Sequence, residues 1–165
     1  LNTTRAADVR SAFNDLLETA RSRRPDAQLR GVTVEPMYRR ANGRELLVGV
    51  VRDPVFGPVV SFGLGGVMVE ALGDVSHRAA PFGRAEARAM IDEIRGRALL
   101  GPLRGRPGAD LDALTDLLVT VAALGARGDI AEMDINPVRA GPTGAMVLDA
   151  VILRAAAETE GRARQ

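Results

Sequence analysis

The chain has no cysteine and no lysine. Without cysteine there are no disulfides, no thiolate catalysis and no Cys-based zinc site. All 22 basic residues are arginine. Many phosphate-transfer sites set a lysine on the phosphates, so any such lysine has to come from outside these 165 residues. Aromatic residues make up only 3%, which argues against a base-stacking surface. The arginines are spread among Asp and Glu with a net charge of +1, so no basic stripe for nucleic acid stands out. Apolar runs are short and broken by charge, so no membrane span is expected. No signal peptide is visible at Leu1, and a cytoplasmic setting is the default. The first residue is Leu rather than Met, which points to a piece of something longer; processing of a short protein is the other reading.

What is present describes one α+β domain. Hydrophobic residues reach 46% of the 165, enough for a real core. A helical pattern (Ala7, Val9, Phe13, Leu16, Leu17, Ala20) runs over residues 4–24, with Thr4 as N-cap and Pro25 as stop. Strand patterns cover residues 31–35, 45–51, 59–62 and 67–70. Asn42-Gly43 and residues 53–58 read as turns. Helical periodicity returns over 84–95 and again over 110–124, ending at Gly125. The closing hairpin spans 130–136 and 145–149. From residue 155 the tail is rich in Ala, Glu and Arg. Strands in hairpins followed by helices and two final strands predict an antiparallel sheet with helices against one face.

The sharpest chemical feature is Asp134-x-Asn136-Pro137, followed across a Gly141-Pro142-Thr143-Gly144 turn by Asp149. Strand side chains alternate, so Asp134 and Asn136 share a face, and adjacent strands can bring Asn136 and Asp149 close together. Asp and Asn oxygens are hard ligands suited to Mg²⁺ carrying nucleotide phosphates; the plainer reading is a turn before proline. Gly63-Leu64-Gly65-Gly66 is either a phosphate-approaching turn or simply a tight one. Glu35-Pro36-Met37 ends a strand pattern, and its backbone groups could bond an adenine edge or merely close an edge strand. Glu45 and Asp53 flank an apolar strand, as ribose or metal contacts or as solvated strand ends. His77 reads as a surface strand residue, and the Arg21–Arg24 run as a solvated helix end.

Taken in order, Gly31-Val32-Thr33-Val34-Glu35-Pro36-Met37, the stretch from Arg44 through Asp53-Pro54-Val55-Phe56-Gly57-Pro58 to Val60, Phe62-Gly63-Leu64-Gly65-Gly66, and Ala131-Glu132-Met133-Asp134-Ile135-Asn136-Pro137 resemble the ATP-grasp domain of NDP-forming acyl-CoA synthetases. These are the ADP-forming acetate–CoA ligases, related to the succinyl-CoA synthetase β subunit. A similar domain lies in large bacterial protein acetyltransferases. The resemblance implies an ATP-grasp-like α+β fold over residues 1–152, with 153–165 a tail or linker and the first ATP-grasp subdomain missing. It implies ATP and Mg²⁺ as cofactors. Asn136 and Asp149 match metal ligands with Asp134 beside them; Glu35, Pro36 and Met37 match the adenine hinge; and Glu45, Gly63, Gly65 and Gly66 match nucleotide-side positions. Glu70 and Arg78 match further family positions. The family's lysine and histidine-containing segment would precede Leu1, and His77 stands where the family carries an apolar residue. The expected partners are that first subdomain and the CoA-binding and ligase domains, with no nucleic acid and no membrane. The expected activity of the whole is acyl-CoA formation from carboxylate, CoA and ATP through a phosphohistidine. A regulatory nucleotide- or acyl-CoA-binding module of an acetyltransferase is the alternative.

Overall fold

The structure, a computed structural model, describes residues 3–38, 43–66 and 73–155. The chain divides into two compact units, Leu1–Arg39 and Arg40–Gln165. The expected strand over 67–70 with Glu70, the Asn42 turn and most of the tail lie outside the described residues.

In the first unit the expected helix is α1 (Ala6–Arg23). Its N-cap is Arg5 rather than Thr4, and no side chain caps it. The Arg5 guanidinium instead pairs with Asp8 at 3.1 Å, which leaves a carboxylate in the first turn, where the helix dipole favours it. The helix stops before Pro25, and the Arg24 N–H still bonds the Ala20 carbonyl at 2.9 Å. The strand expected over 31–35 does not form. Its valines alternate as a strand requires, but none of the described strands pairs with it, and a strand's preference is realised only against a neighbouring edge.

The second unit holds the sheet. A hairpin of β1 (Arg44–Asp53) and β2 (Gly57–Leu64) is followed by β3 (Val75–Ala79) on the outer side of β2. Then come α2 (Arg84–Glu93), a 3₁₀ helix over Arg95–Leu100 and α3 (Leu111–Gly125). The long β4 (Ile130–Ala140) returns beside β1, and the short β5 (Ala145–Val147) and β6 (Ala150–Arg154) pair with its two halves. The strand order is β3-β2-β1-β4-β5, with β6 also on β4. Every pair is antiparallel, the α+β layer expected from the sequence.

One face of this sheet is the core. Leu46, Val48, Val50, Val60, Phe62, Met133 and Ile135 alternate into it and are buried with Met90, Ile91, Leu114 and Leu118 of the two helices. Period two on the strands meets a period near 3.6 on the helices. The end of α3 lies so close to β1 that a Cβ on Gly125 would stand 2.8 Å from Val50 Cγ1. The Asp53 carboxylate accepts the Val55 and Phe56 amides at 2.7 and 2.8 Å and shapes the β1–β2 turn. These two bonds, that of Phe56 first, hold its pKa below the usual value. Asp53 is thereby a turn residue.

Helix α2 ends at Glu93, short of the expected residue 95. The backbone turns into the 3₁₀ helix because the nearly buried Asp74 carboxylate accepts the Arg95 and Gly96 amides at 2.7 and 2.6 Å. Arg78 ties β3 to α2 through Glu86 at 3.0 Å and through Glu93. Pairing with Glu93 first and Glu86 second raises its pKa. Among the described residues no helix is long and apolar enough to cross a membrane.

Candidate functional site

The face of the sheet opposite α2 and α3 carries the acidic set. Along β4, Met133 and Ile135 are buried while Glu132, Asp134 and Asn136 are exposed, so strand alternation places the three polar side chains on one face. The expected strand over 145–149 ends early, at Val147, and a break at Leu148–Asp149 separates β5 from β6. In that break the Leu148 N–H bonds the Pro137 carbonyl at 3.0 Å, and the Asn136 N–H bonds the Asp149 carbonyl at 3.2 Å. Asn136 and Asp149 are thus brought side by side, as the hairpin reading expected. The break opposite Asn136-Pro137, where the peptide bond is cis, interrupts the ladder at this point.

This donor set fits Mg²⁺. It has exposed oxygen atoms from two carboxylates and one amide, and Mg²⁺ prefers a few protein oxygens, with waters and phosphates completing its shell. Glu132 adds a further carboxylate on the same face, two residues before Asp134. Among the described residues no three His, Asp or Glu side chains gather as a self-sufficient metal cluster.

Across the same face the register runs from Asp134 to Gly49, Ser61 and His77. His77 is exposed, with Nδ1 3.0 Å from Ser61 Oγ. It is a surface strand residue, as read from the sequence.

The glycine turn is explained first by packing. A Cβ on Gly63 would lie 2.7 Å from the Asp74 carbonyl oxygen, and one on Gly65 would lie 2.8 Å from the Leu46 nitrogen. Gly66 has φ +65°, a conformation that disfavours a side chain. The Gly65 N–H bonds the Glu45 carbonyl at 2.7 Å. Beside this turn lies a cavity of about 420 Å³ lined by Arg44, Glu45, Gly65, Gly66, Arg106 and Arg139 among others. The second unit therefore brings Glu45, Gly65 and Gly66 to one cavity, whereas Gly63 is buried at the end of β2. Glu35, Pro36 and Met37 belong to the first unit, where they are exposed and outside any strand.

Sequence reasoning missed the arginines of this cavity. Arg139 pairs with Glu45 at 3.3 Å, directly across β1 and β4. Arg44 donates to the carbonyls of Gly101 at 3.1 Å and Pro107 at 3.3 Å, and also to that of Leu99. The available signal was local only: Arg44 immediately precedes the 45–51 strand pattern and Arg139 follows the Asp134-x-Asn136-Pro137 motif.

Comparison with known proteins agrees with this geometry. The ATP-grasp domain profile matches residues 1–153. The chain is 44% identical over 143 residues to acetate–CoA ligase [ADP-forming] I of Archaeoglobus fulgidus, covering 86% of this chain and 21% of that protein. It is 43% identical over 144 residues to the β subunit of acetate–CoA ligase [ADP-forming] I of Pyrococcus furiosus, covering 87% of this chain and 61% of the subunit. The chain thus spans about a fifth and three fifths of these two relatives. Among solved structures, the dinucleotide forming acetyl-coenzyme A synthetase 1 of Ca. Korarchaeum cryptofilum, in complex with coenzyme A and Mg-AMPPCP, superposes with a TM-score of 0.74 at 37% identity, covering 94% of this chain and 67% of that one. The profile match, these identities and the antiparallel sheet with its helix-covered face show that the chain belongs to the ATP-grasp domain family and is homologous to the ADP-forming acetate–CoA ligases.

Proposed function

We propose that this chain is the ATP- and Mg²⁺-binding portion of an ADP-forming acyl-CoA synthetase, with residues 1–152 as its share of the ATP-grasp domain and 153–165 as a tail. The observation that carries the reading is the exposed Asp134 and Asn136 on the helix-free face, with Asp149 hydrogen-bonded against Asn136 in the β5–β6 break. Asp134, Asn136 and Asp149 would hold Mg²⁺, which would orient the nucleotide phosphates and neutralise charge during transfer. Backbone groups of Glu35, Pro36 and Met37 would bond the adenine edge. Glu45 and the Gly63, Gly65 and Gly66 turn would sit on the nucleotide side. The longer, cytoplasmic enzyme would supply the first subdomain's lysine and histidine segment and the CoA-binding and ligase domains. It would convert carboxylate, CoA and ATP into acyl-CoA, ADP and phosphate through an acyl phosphate and a phosphohistidine.

The test is Asp149→Asn in that longer enzyme. The change keeps the side-chain shape and removes a charge facing the dication. Losing one charged contact costs about 1.5–3 kcal/mol, so Mg-nucleotide binding and histidine phosphorylation should fall roughly tenfold or more. His77→Ala should change either by much less. Unchanged binding in Asp149→Asn together with its loss in His77→Ala would overturn the site assignment.

A further inference from the structure

A serine and the chain's only histidine stand together on the helix-free face of the sheet. Ser61 Oγ lies 3.0 Å from His77 Nδ1, in register across β2 and β3. The hydroxyls of Ser76, Thr115 and Thr120 instead donate to the carbonyls of Met90, Leu111 and Asp116. A hydroxyl within hydrogen-bond reach of an imidazole nitrogen is the arrangement of a nucleophile beside its base. Gly49 separates this pair from the acidic set, with Ser61 opposite it on one side and Asp134 on the other. Glycine in mid-strand weakens the strand, and it commonly marks a bulge, a close backbone contact or an approaching ligand. The irregularity in the β1–β4 ladder falls between Leu46 and Val48, before Gly49. The φ of Gly49 is not positive. An added Cβ would meet nothing closer than the Met133 carbonyl oxygen at 3.5 Å, an ordinary contact. Neither backbone geometry nor packing therefore asks for glycine here. Its missing side chain leaves open floor between Asp134 and Ser61.

We propose that Ser61 is a phosphoryl acceptor, with His77 as its base, so that the open sheet face carries a self-modification site fed by a nucleoside triphosphate. The inference rests on the metal reading above, in which Asp134, Asn136 and Asp149 hold Mg²⁺ with the nucleotide phosphates. Two strand spacings, about 10 Å, separate Asp134 from Ser61, and a metal-bound triphosphate extended over Gly49 reaches across them. Phosphoryl transfer asks the protein for in-line positioning and an acceptor for the hydroxyl proton. Ser61 Oγ bonds to the terminal phosphorus. The bond from that phosphorus to the bridging oxygen breaks, and its electron pair leaves on the nucleoside diphosphate. The hydroxyl proton passes to His77 Nδ1 and from the exposed imidazole to water. The phosphoserine then sets new negative charge on the floor beside Asp134. Like charge opposes the phosphates of a second nucleotide, so the modification switches the site off.

The experiment incubates the longer enzyme with Mg²⁺ and ATP labelled in its terminal phosphate, then treats it with acid. Acid hydrolyses phosphohistidine and spares phosphoserine, so the two labels separate. An acid-stable label is expected, mapped to Ser61 by tandem mass spectrometry and absent in Ser61→Ala. His77→Ala should slow its appearance by about a hundredfold, the contribution of a general base, and leave the acid-labile label in place. Gly49→Ala should slow it too, with a melting temperature unchanged or higher, since alanine costs a strand less than glycine. Asp149→Asn should diminish both labels. The fraction labelled per minute should not depend on enzyme concentration, as for transfer within one molecule. An acid-labile label without an acid-stable one would overturn this inference and leave the metal reading standing. Absence of both labels together with loss of Mg-nucleotide binding would overturn both. An acid-stable label that persists in Ser61→Ala, is unchanged in His77→Ala or Gly49→Ala, or speeds up with enzyme concentration would also sink it.

Discussion

Asp110 joins two parts of the second unit through one carboxylate. One oxygen accepts the Ala113 amide at 3.0 Å and caps α3, and the other accepts the Gly144 amide at 2.8 Å in the β4–β5 turn. These bonds, that to Ala113 first, hold its pKa below the usual 3.8. A depressed carboxylate adds stability above its unfolded pKa and loses it as pH falls through the folded value. Asp110→Asn should therefore unfold more easily in urea at neutral pH, and the difference from wild type should shrink below pH 3.8. Glu93, held down by Arg78, titrates with the same sign. The start of α3 was legible because Asp is a local N-cap signal; the second bond to Gly144 was not, because it joins residues far apart in the chain. Gly125 is the opposite case. Read as a helix stop, it is also a point of close approach, and Gly125→Ala would push a methyl into Val50. Overpacking of this kind costs about 1–3 kcal/mol, measurable as a lower urea midpoint with an unchanged slope.

At the scale of elements, periodicity located β1, β4, α1, α2 and α3 to within a few residues. It failed where a partner or a side-chain bond decides. The alternating valines of 31–35 have the strand pattern, yet they pair with none of the described strands. Helix α2 stops early because Asp74 captures the next two amides, and that carboxylate lies 21 residues upstream of Arg95. Removing it leaves part-buried amides unsatisfied. Asp74→Ala should cost about 1.5–3 kcal/mol, as expected for hydrogen bonds to a charged group. It should also raise amide exchange across the 3₁₀ helix more than in α3. Equal exchange in both would show that the 3₁₀ helix does not depend on this cap. The break between β5 and β6 was likewise invisible as a break: residues 145–149 read as one strand, yet the ladder is interrupted opposite Asn136-Pro137.

For the whole molecule, the expected result is that this chain alone makes no acyl-CoA. An assay with acetate, CoA, ATP and Mg²⁺ should stay at the blank rate, because a chain without lysine and with one exposed histidine has no substitute for the phosphate-binding lysine and phosphorylated segment expected from the rest of the enzyme. Turnover above blank would refute this. The sequence by itself determined the α+β class, the helix-covered sheet, the family and the acidic set, because these rest on local periodicity and on short motifs whose spacing is readable along one strand. Only the tertiary structure decided that the Asn136 and Asp149 backbones meet at a ladder break and that the glycines of 63–65 are imposed by packing. It alone brought three arginines, from β1, β4 and the turn over residues 103–106, around one cavity. Those residues lie tens of positions apart; the pairing of β1 with β4 joins the first two, and the Arg44 bonds to the Gly101 and Pro107 carbonyls hold the turn against β1.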